Sequence, residues 1–329
     1  MKVTVRSAGF LTSVQDLGRT GFRQSGVSLS GAVDAHALRV ANVLAGNEEN
    51  AAGLEATFGT VRLGFEDDRL VAWCGGAFSV RIGDENLRAG HPGFVGKNEE
   101  LTMIAPNSGG RAWLAISGGI DVPLVLSSRS TDLRGNFGGH EGRALRDGDE
   151  LALKERRFTN RRSKIDGGLE SAAPWGAPAT WASVSPSRNG VLRIVRGTDW
   201  DRFTSDAQQS LLASAFSVNP DSDRMGVRLD GPELQRIESS DLLSEAVAPG
   251  TLQIPPNGQP ILLLGDCQTI GGYPKIAHVI TADLPIAAQL WPGDTVHFQE
   301  VSLTEAQALL GEREKEFAFF CAGVGLHAR

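Results

Sequence analysis

Leu264-Gly-Asp-Cys-Gln-Thr-Ile-Gly-Gly-Tyr-Pro-Lys-Ile-Ala-His-Val279 decides how this chain is read. A short apolar run, 261–264, stops at Asp266, Gln268 and Thr269. Two glycines, the sole tyrosine, a proline and Lys275 follow, and a second apolar run, 276–280, leads away. The pattern is strand, polar loop, strand. A plain hairpin needs only a two-to-five-residue turn. Here the loop gathers an acid, a carboxamide, a hydroxyl and an amine on a backbone loosened by Gly271 and Gly272. Such side chains between rigid strands mark a binding site. Lys275, Asp266, Gln268, Gly271, Gly272 and Tyr273 are therefore candidate binding-site residues.

Outward from that loop, the same rhythm fills the chain. Forty glycines and fifteen prolines separate short apolar or alternating runs at 61–65, 70–73, 78–82, 101–104, 112–116, 192–195 and 251–254. Short strands at this spacing predict a mainly β protein of sandwiches or barrels. Three segments carry helical spacing. Residues 35–45 follow Asp34, an N-cap residue type, and stop at Gly46. Residues 206–215 form the second. Residues 303–317 follow Ser302, which pairs with Glu305 as a capping box.

A length of 329 residues suits two domains. The expected division is 1–165, a linker over 166–189 rich in Ala, Pro, Ser and Trp, and 190–329. A formal net charge of −7 argues against a nucleic-acid partner. Three distant cysteines without a CxxC pair argue against a disulfide framework or a zinc site and fit a reducing cytoplasm. The N-terminal residues alternate like a strand and lack the apolar core of a signal peptide. The longest apolar stretch, 317–326, is far short of the ~20 residues of a membrane span.

Standard catalytic motifs are missing. Residues 90–97 resemble a phosphate loop but lack its first glycine, and Asn98 stands where Ser or Thr is needed, so they read as loop and strand. There is no GxSxG and no HExxH, and six scattered histidines supply no metal-ligand spacing. Two further polar segments stand out. Residues 12–34 place Gln15, Asp16 and Arg19 on an irregular stretch running into a helix N-terminus, where a carboxylate or phosphate is favoured. Equally, Asp16 and Arg19 pair with each other. Residues 127–143 hold Arg129 and Arg134 among glycines; either arginine clamps a carboxylate, or an Arg–Asp network stiffens a long loop. Arg224, beside Gly226, supports the Asp266 loop or faces the ligand.

Taken together, these segments resemble a known family. The matching words are TSVQDLGRTGF, SGAVDAHALRVANVLAGNEENAAGLEAT, ISGGIDVP, SRSTDLRGNFGGHEGRALRDGD, SDRMGVRLDG and QTIGGYPKIAHVITADLPIAAQLWPGDTVHF. In order and spanning nearly the whole chain, they resemble the allophanate hydrolase subunit 2, KipA-like or 5-oxoprolinase C-subunit proteins, which are urea amidolyase-related. Ala32-Val33 departs from the family's Pro-Met, and loss of that proline predicts a less rigid loop. The resemblance implies cyclophilin-like barrels. It implies two partner chains, one KipI-like and one LamB/YcsF-like, and ATP-driven opening of 5-oxo-L-proline to L-glutamate. An alternative it implies is carboxyl transfer to a urea-type amide, with biotin carried by another protein, since no biotinyl sequence is present. A third is a non-catalytic regulator that binds the KipI-like chain.

A lactam or urea carbonyl is a poor electrophile. ATP, with Mg2+, activates it by phosphorylating the carbonyl oxygen, which calls for cations around the phosphoryl group and the developing oxyanion. Lys275, Arg129 and Arg19 are the candidates for that role. Asp266 is the candidate to hold Lys275 or to accept a proton, and Gln268 and Gln15 to orient a carboxamide. No residue set for a resident metal emerges.

Overall fold

The computed structural model describes residues 1–107, 110–155, 175–183, 189–238 and 242–327. Packing divides the chain into two compact units. One comprises Met1–Gly18, Ser30–Ser185 and Ala318–Arg329; the other comprises Arg19–Leu29 and Pro186–Phe317. Most of the expected linker 166–189 lies outside the described residues. Within it, Ala179–Ala182 forms a short helix packed on helix Ala35–Leu44 and strand Arg69–Gly75.

The first unit stacks two antiparallel sheets. The six-stranded sheet runs Glu150–Ala152, Lys2–Ala8, Thr60–Phe65, Glu100–Ile104, Ser79–Ile82, Glu85–Asn86. The five-stranded sheet runs Leu11–Gln15, Gly53–Thr57, Arg111–Ile116, Arg69–Gly75, Gly93–Val95. Alternate residues of both, including Val5, Leu63 and Met103 from one and Leu54, Leu114 and Trp73 from the other, form a shared core. This is the period-two burial of a sandwich. Strand Ser79–Ile82 buries every second residue, whereas all six residues of Arg111–Ile116 are buried. The difference arises because helix Ala35–Leu44 covers the second face of the five-stranded sheet. Asp34 caps that helix, its Oδ1 accepting from Ala37 N at 2.8 Å, and Gly46 ends it at φ +72°.

The second unit is a closed seven-stranded barrel. Its order is Asn189–Arg196, Lys275–Val279, Thr251–Gln253, Ile261–Leu263, Gly226–Asp230, Phe216–Val218, Thr295–Glu300 and back to Asn189–Arg196. The closing pair is parallel and the others antiparallel. Inside lie Leu192, Ile194, Val227, Leu252 and Leu262, with Phe216 and Phe298 tilted at 5.7 Å. A two-stranded ribbon, Glu245–Ala246 with Ile270–Gly271, stands apart from the barrel sheet.

The mainly β reading holds. Two helices differ in extent. Ser205–Ala213 starts earlier than expected because Thr204 Oγ1 accepts from Ala207 N. The C-terminal helix outruns the expected 303–317: it begins at Leu303 and runs 25 residues to His327. Its start matches the capping box, with Glu305 N donating to Ser302 Oγ at 3.1 Å. The glycines at 311, 323 and 325 do not stop it, each costing only about 1 kcal/mol relative to Ala.

Candidate functional site

Lys275 opens its barrel strand and is 5% exposed. Opposite it, the ladder slips between Leu252 and Gln253, so Gln253 pairs with Lys275 while Leu252 pairs with Ala277. Such bulges re-aim side chains. The Lys275 amide donates to Asp199 Oδ2 at 2.9 Å, and its ammonium lies 3.3 Å from the same oxygen. A closer partner is Glu245 on the ribbon, at 2.6 Å. Burial works to lower the Lys275 pKa, but hydrogen bonds and charge from Glu245 and Asp199 outweigh it and hold the ammonium above its ordinary range. Lys275 is thus a permanent cation at neutral pH and no proton acceptor. His278 responds in the opposite sense: burial, then the Lys275 charge, hold its imidazole below the ordinary value and therefore neutral. Its Nδ1 lies 3.2 Å from Thr251 Oγ1.

The two carboxylates differ in kind. Asp199 is buried, and its Oδ1 also receives Arg202 Nε at 3.0 Å. The Glu245 side chain is 61% exposed. Stranding a buried charge costs about 3–5 kcal/mol, whereas an exposed ion pair is worth about 0–1 kcal/mol. Lys275 therefore needs a counter-ion more than it needs Glu245.

The loop that opened the sequence reading takes another partner than Lys275. Asp266 accepts from Arg224 Nε at 2.9 Å and Nη2 at 3.1 Å. Both side chains are buried, and Asp266 N donates back to Arg224 O at 3.1 Å. Arg224 therefore supports the loop, and Asp266 does not hold Lys275. Gln268 Nε2 donates to Gln253 Oε1 at 3.1 Å, and Gln253 Nε2 to the Tyr273 carbonyl at 3.3 Å. Gly271 lies close to this carboxamide pair: a Cβ there would sit 2.7 Å from Gln253 Nε2, the end of a flexible side chain that would have to shift. Gly272 meets Leu242 O at a looser 3.3 Å. Tyr273 is 45% exposed and lines a cleft of about 360 Å3 with Asn219, Arg228, Asp230 and Asn257.

In the first unit, Asp16 is the centre of a separate buried cluster. Its Oδ1 accepts from Gly18 N at 2.8 Å and from Ser128 Oγ and Ser130 Oγ, each at 2.6 Å; its Oδ2 accepts from Arg129 N at 2.6 Å. Arg129 thus meets Asp16 through its backbone, and Arg134 is exposed with its amide on Asp132. Gln15 is fully buried, its Nε2 donating to Ser13 Oγ and the Thr131 carbonyl. Farther along, Arg143 grips Asp149 with two bonds, 2.7 and 2.9 Å. Leu126, Ser127, Asn136 and Glu141 all adopt positive φ. Non-glycine residues seldom do so, and such strain needs surroundings that enforce it. The network of segment 127–143 with Asp16 and Asp149 supplies them. Ala32 N donates to Asp16 O at 2.9 Å. A proline there has no N–H, so its replacement anchors the loop instead of loosening it, contrary to expectation. Arg19 packs with the second unit, fully buried, its amide donating to Leu29 O.

Sequence reading missed Asp199, Glu245 and Gln253. No period or motif marks them; the structure shows their setting, with Gly197, two residues before Asp199, placed where a Cβ would overlap the Lys275 carbonyl. Among the described residues, no three His, Cys, Asp or Glu side chains are grouped to hold a metal, and no helix is long and apolar enough to cross a membrane.

The family described as carboxyltransferase domain, subdomain A and B, matches residues 25–300. The chain is 39% identical over 310 residues to the C-subunit of 5-oxoprolinase from Escherichia coli, covering 94% of both chains. It is 37% identical over 302 residues to the protein of the same name from Haemophilus influenzae, covering 92% of each. Among solved structures, K. lactis urea amidolyase superposes with a TM-score of 0.86 at 30% identity, over 95% of this chain but 19% of that one.

Proposed function

The chain belongs to the carboxyltransferase domain family, subdomain A and B, and from that premise we propose that it is the C-subunit of an ATP-dependent 5-oxoprolinase. The observation that carries this reading is the 39% identity to the C-subunit of a 5-oxoprolinase over 94% of both chains. We propose further that it works in the cytoplasm with a KipI-like chain and a LamB/YcsF-like chain, and is inactive alone.

When bound, ATP would supply activation by transferring its γ-phosphoryl group to the lactam oxygen of 5-oxo-L-proline, with ADP as the leaving group. What this chain contributes is the buried Lys275 ammonium, a fixed positive charge that holds an anionic group of the bound substrate. Held as a cation by Asp199 and Glu245, Lys275 stabilises charge and leaves proton abstraction to another group. The Gln268–Gln253 carboxamides orient the ligand's amide. Asp266 acts through Arg224 as a positioning residue. In the first unit, Asp16 holds the turn that presents Arg129. A magnesium ion arriving with nucleotide needs one or two protein carboxylates, not a dedicated cage.

The likeness to urea amidolyase favours a second reading, carboxyl transfer to a urea-type amide with biotin carried on another protein. One experiment separates the two: co-purify the chain with its candidate partner chains and measure glutamate release with and without ATP. The first reading expects ATP-dependent glutamate release from the full set of chains and little from this chain alone. Lys275→Ala should lower kcat far more than it weakens association of the chains. Urea-dependent carboxyl transfer without glutamate release would replace this reading with the second, and equal loss of kcat and association would make Lys275 an interface residue.

A further inference from the structure

Two carboxylates meet the Lys275 ammonium, and their attachments differ. Asp199 is bound three times: to the Lys275 amide at 2.9 Å, to the ammonium at 3.3 Å and to Arg202 Nε at 3.0 Å. Glu245 lies closer, at 2.6 Å, yet 61% of its side chain faces solvent. Among the described residues, its strand, Glu245–Ala246, is two residues long and pairs with Ile270–Gly271 alone, outside the barrel. One counter-ion is fixed and the other is exchangeable.

We propose that Glu245 occupies an anion-binding position on Lys275 and yields it to the carboxylate of a small-molecule ligand. Neighbouring groups narrow the ligand class. Gln253 pairs with Lys275 across the ladder, and its carboxamide lies against Gly271, the residue paired with Glu245. Gln268 donates to that same carboxamide. An ammonium beside two carboxamides suits a compound bearing both a carboxylate and an amide. The fixed charge of Asp199 favours a monoanion, since a phosphate dianion would bring a second negative charge beside it. The inference rests on the proposed function in taking Lys275 as a ligand-binding group, and it identifies the part of 5-oxo-L-proline that Lys275 receives.

The test is calorimetric titration of the full chain with 5-oxo-L-proline, 2-pyrrolidinone (the same lactam without the carboxylate), acetate and inorganic phosphate. Glu245→Gln removes the competing charge at a solvent-facing position and keeps the side-chain shape. It should bind 5-oxo-L-proline about five-fold tighter than the parent, the equivalent of about 1 kcal/mol, while 2-pyrrolidinone shows no gain. Lys275→Gln should lose the carboxylate ligand, and Lys275→Arg, which keeps the charge, should retain part of the binding. Unchanged or weaker binding by Glu245→Gln overturns the proposal. So does an equal gain for 2-pyrrolidinone, a gain for phosphate in place of carboxylates, or no heat with any anion. A five-fold gain for acetate without binding of 5-oxo-L-proline keeps the anion position and removes the proposed substrate. Normal glutamate release by the assembled complex, with KM unchanged in Glu245→Gln, keeps the proposed function and removes the exchange.

Discussion

Asp266 and Arg224 allow a sharp test of whether the loop before Lys275 is chemical or architectural. Their carboxylate and guanidinium meet through two bonds, 2.9 and 3.1 Å, with side chains 5% and 4% exposed. Removing one partner strands a charge in the interior at a cost of about 3–5 kcal/mol, against a total domain stability of about 5–15 kcal/mol. Asp266→Leu and Arg224→Met should each destabilise the second unit by that amount. For a domain of this size about 2–4 °C of melting temperature accompanies each kcal/mol, so each should melt about 6–20 °C lower. The double variant removes both charges, and its loss should fall well short of the summed single losses. Circular dichroism melts of the four chains complete the cycle. Single shifts under about 2 °C, or strict additivity, would refute the buried-pair reading. Asp266→Asn adds a chemical arm: activity abolished with the melting temperature intact would return Asp266 to the reacting groups.

Two further outcomes follow from local geometry. Gly197→Ala places a methyl group against the Lys275 carbonyl; the strand must shift at about 1–3 kcal/mol, and KM for 5-oxo-L-proline in the assembled complex should rise, whereas an unchanged KM and melting temperature would show that the Lys275 strand is not held there. Asp149, whose carboxyl the Arg143 side chain holds at about 2, contributes stability present above its unfolded value near 4 and lost as pH falls from there toward 2. That contribution is about 2 kcal/mol, and urea midpoints against pH should lose this step in Arg143→Met; an identical acid profile in the two chains would contradict it.

The longer strands were legible where they bury a face at period two or lie wholly inside, as in Thr60–Phe65 and Arg111–Ile116. The polar loop between two strands at 264–275 was legible from composition, and Lys275 at its end is buried. Its partners were not. Asp199 and Glu245 lie 76 and 30 residues away, in a turn and a two-residue strand that carry no period. The partners of Asp16, 112 to 114 residues distant, are serines and an amide, which have no sequence signature of carboxylate binding. The last helix outran its expected end because glycine is a weak stop signal where no αL turn is required.

The barrel closes by laying Asn189–Arg196 beside Thr295–Glu300 in parallel. Ninety-eight residues, 197–294, must leave the ribosome between the first strand and the one that completes the ring. Until then the early strand has an unfilled edge, a template for pairing with other polypeptides. During synthesis the second unit therefore passes through a late interval in which that open edge is exposed to mispairing.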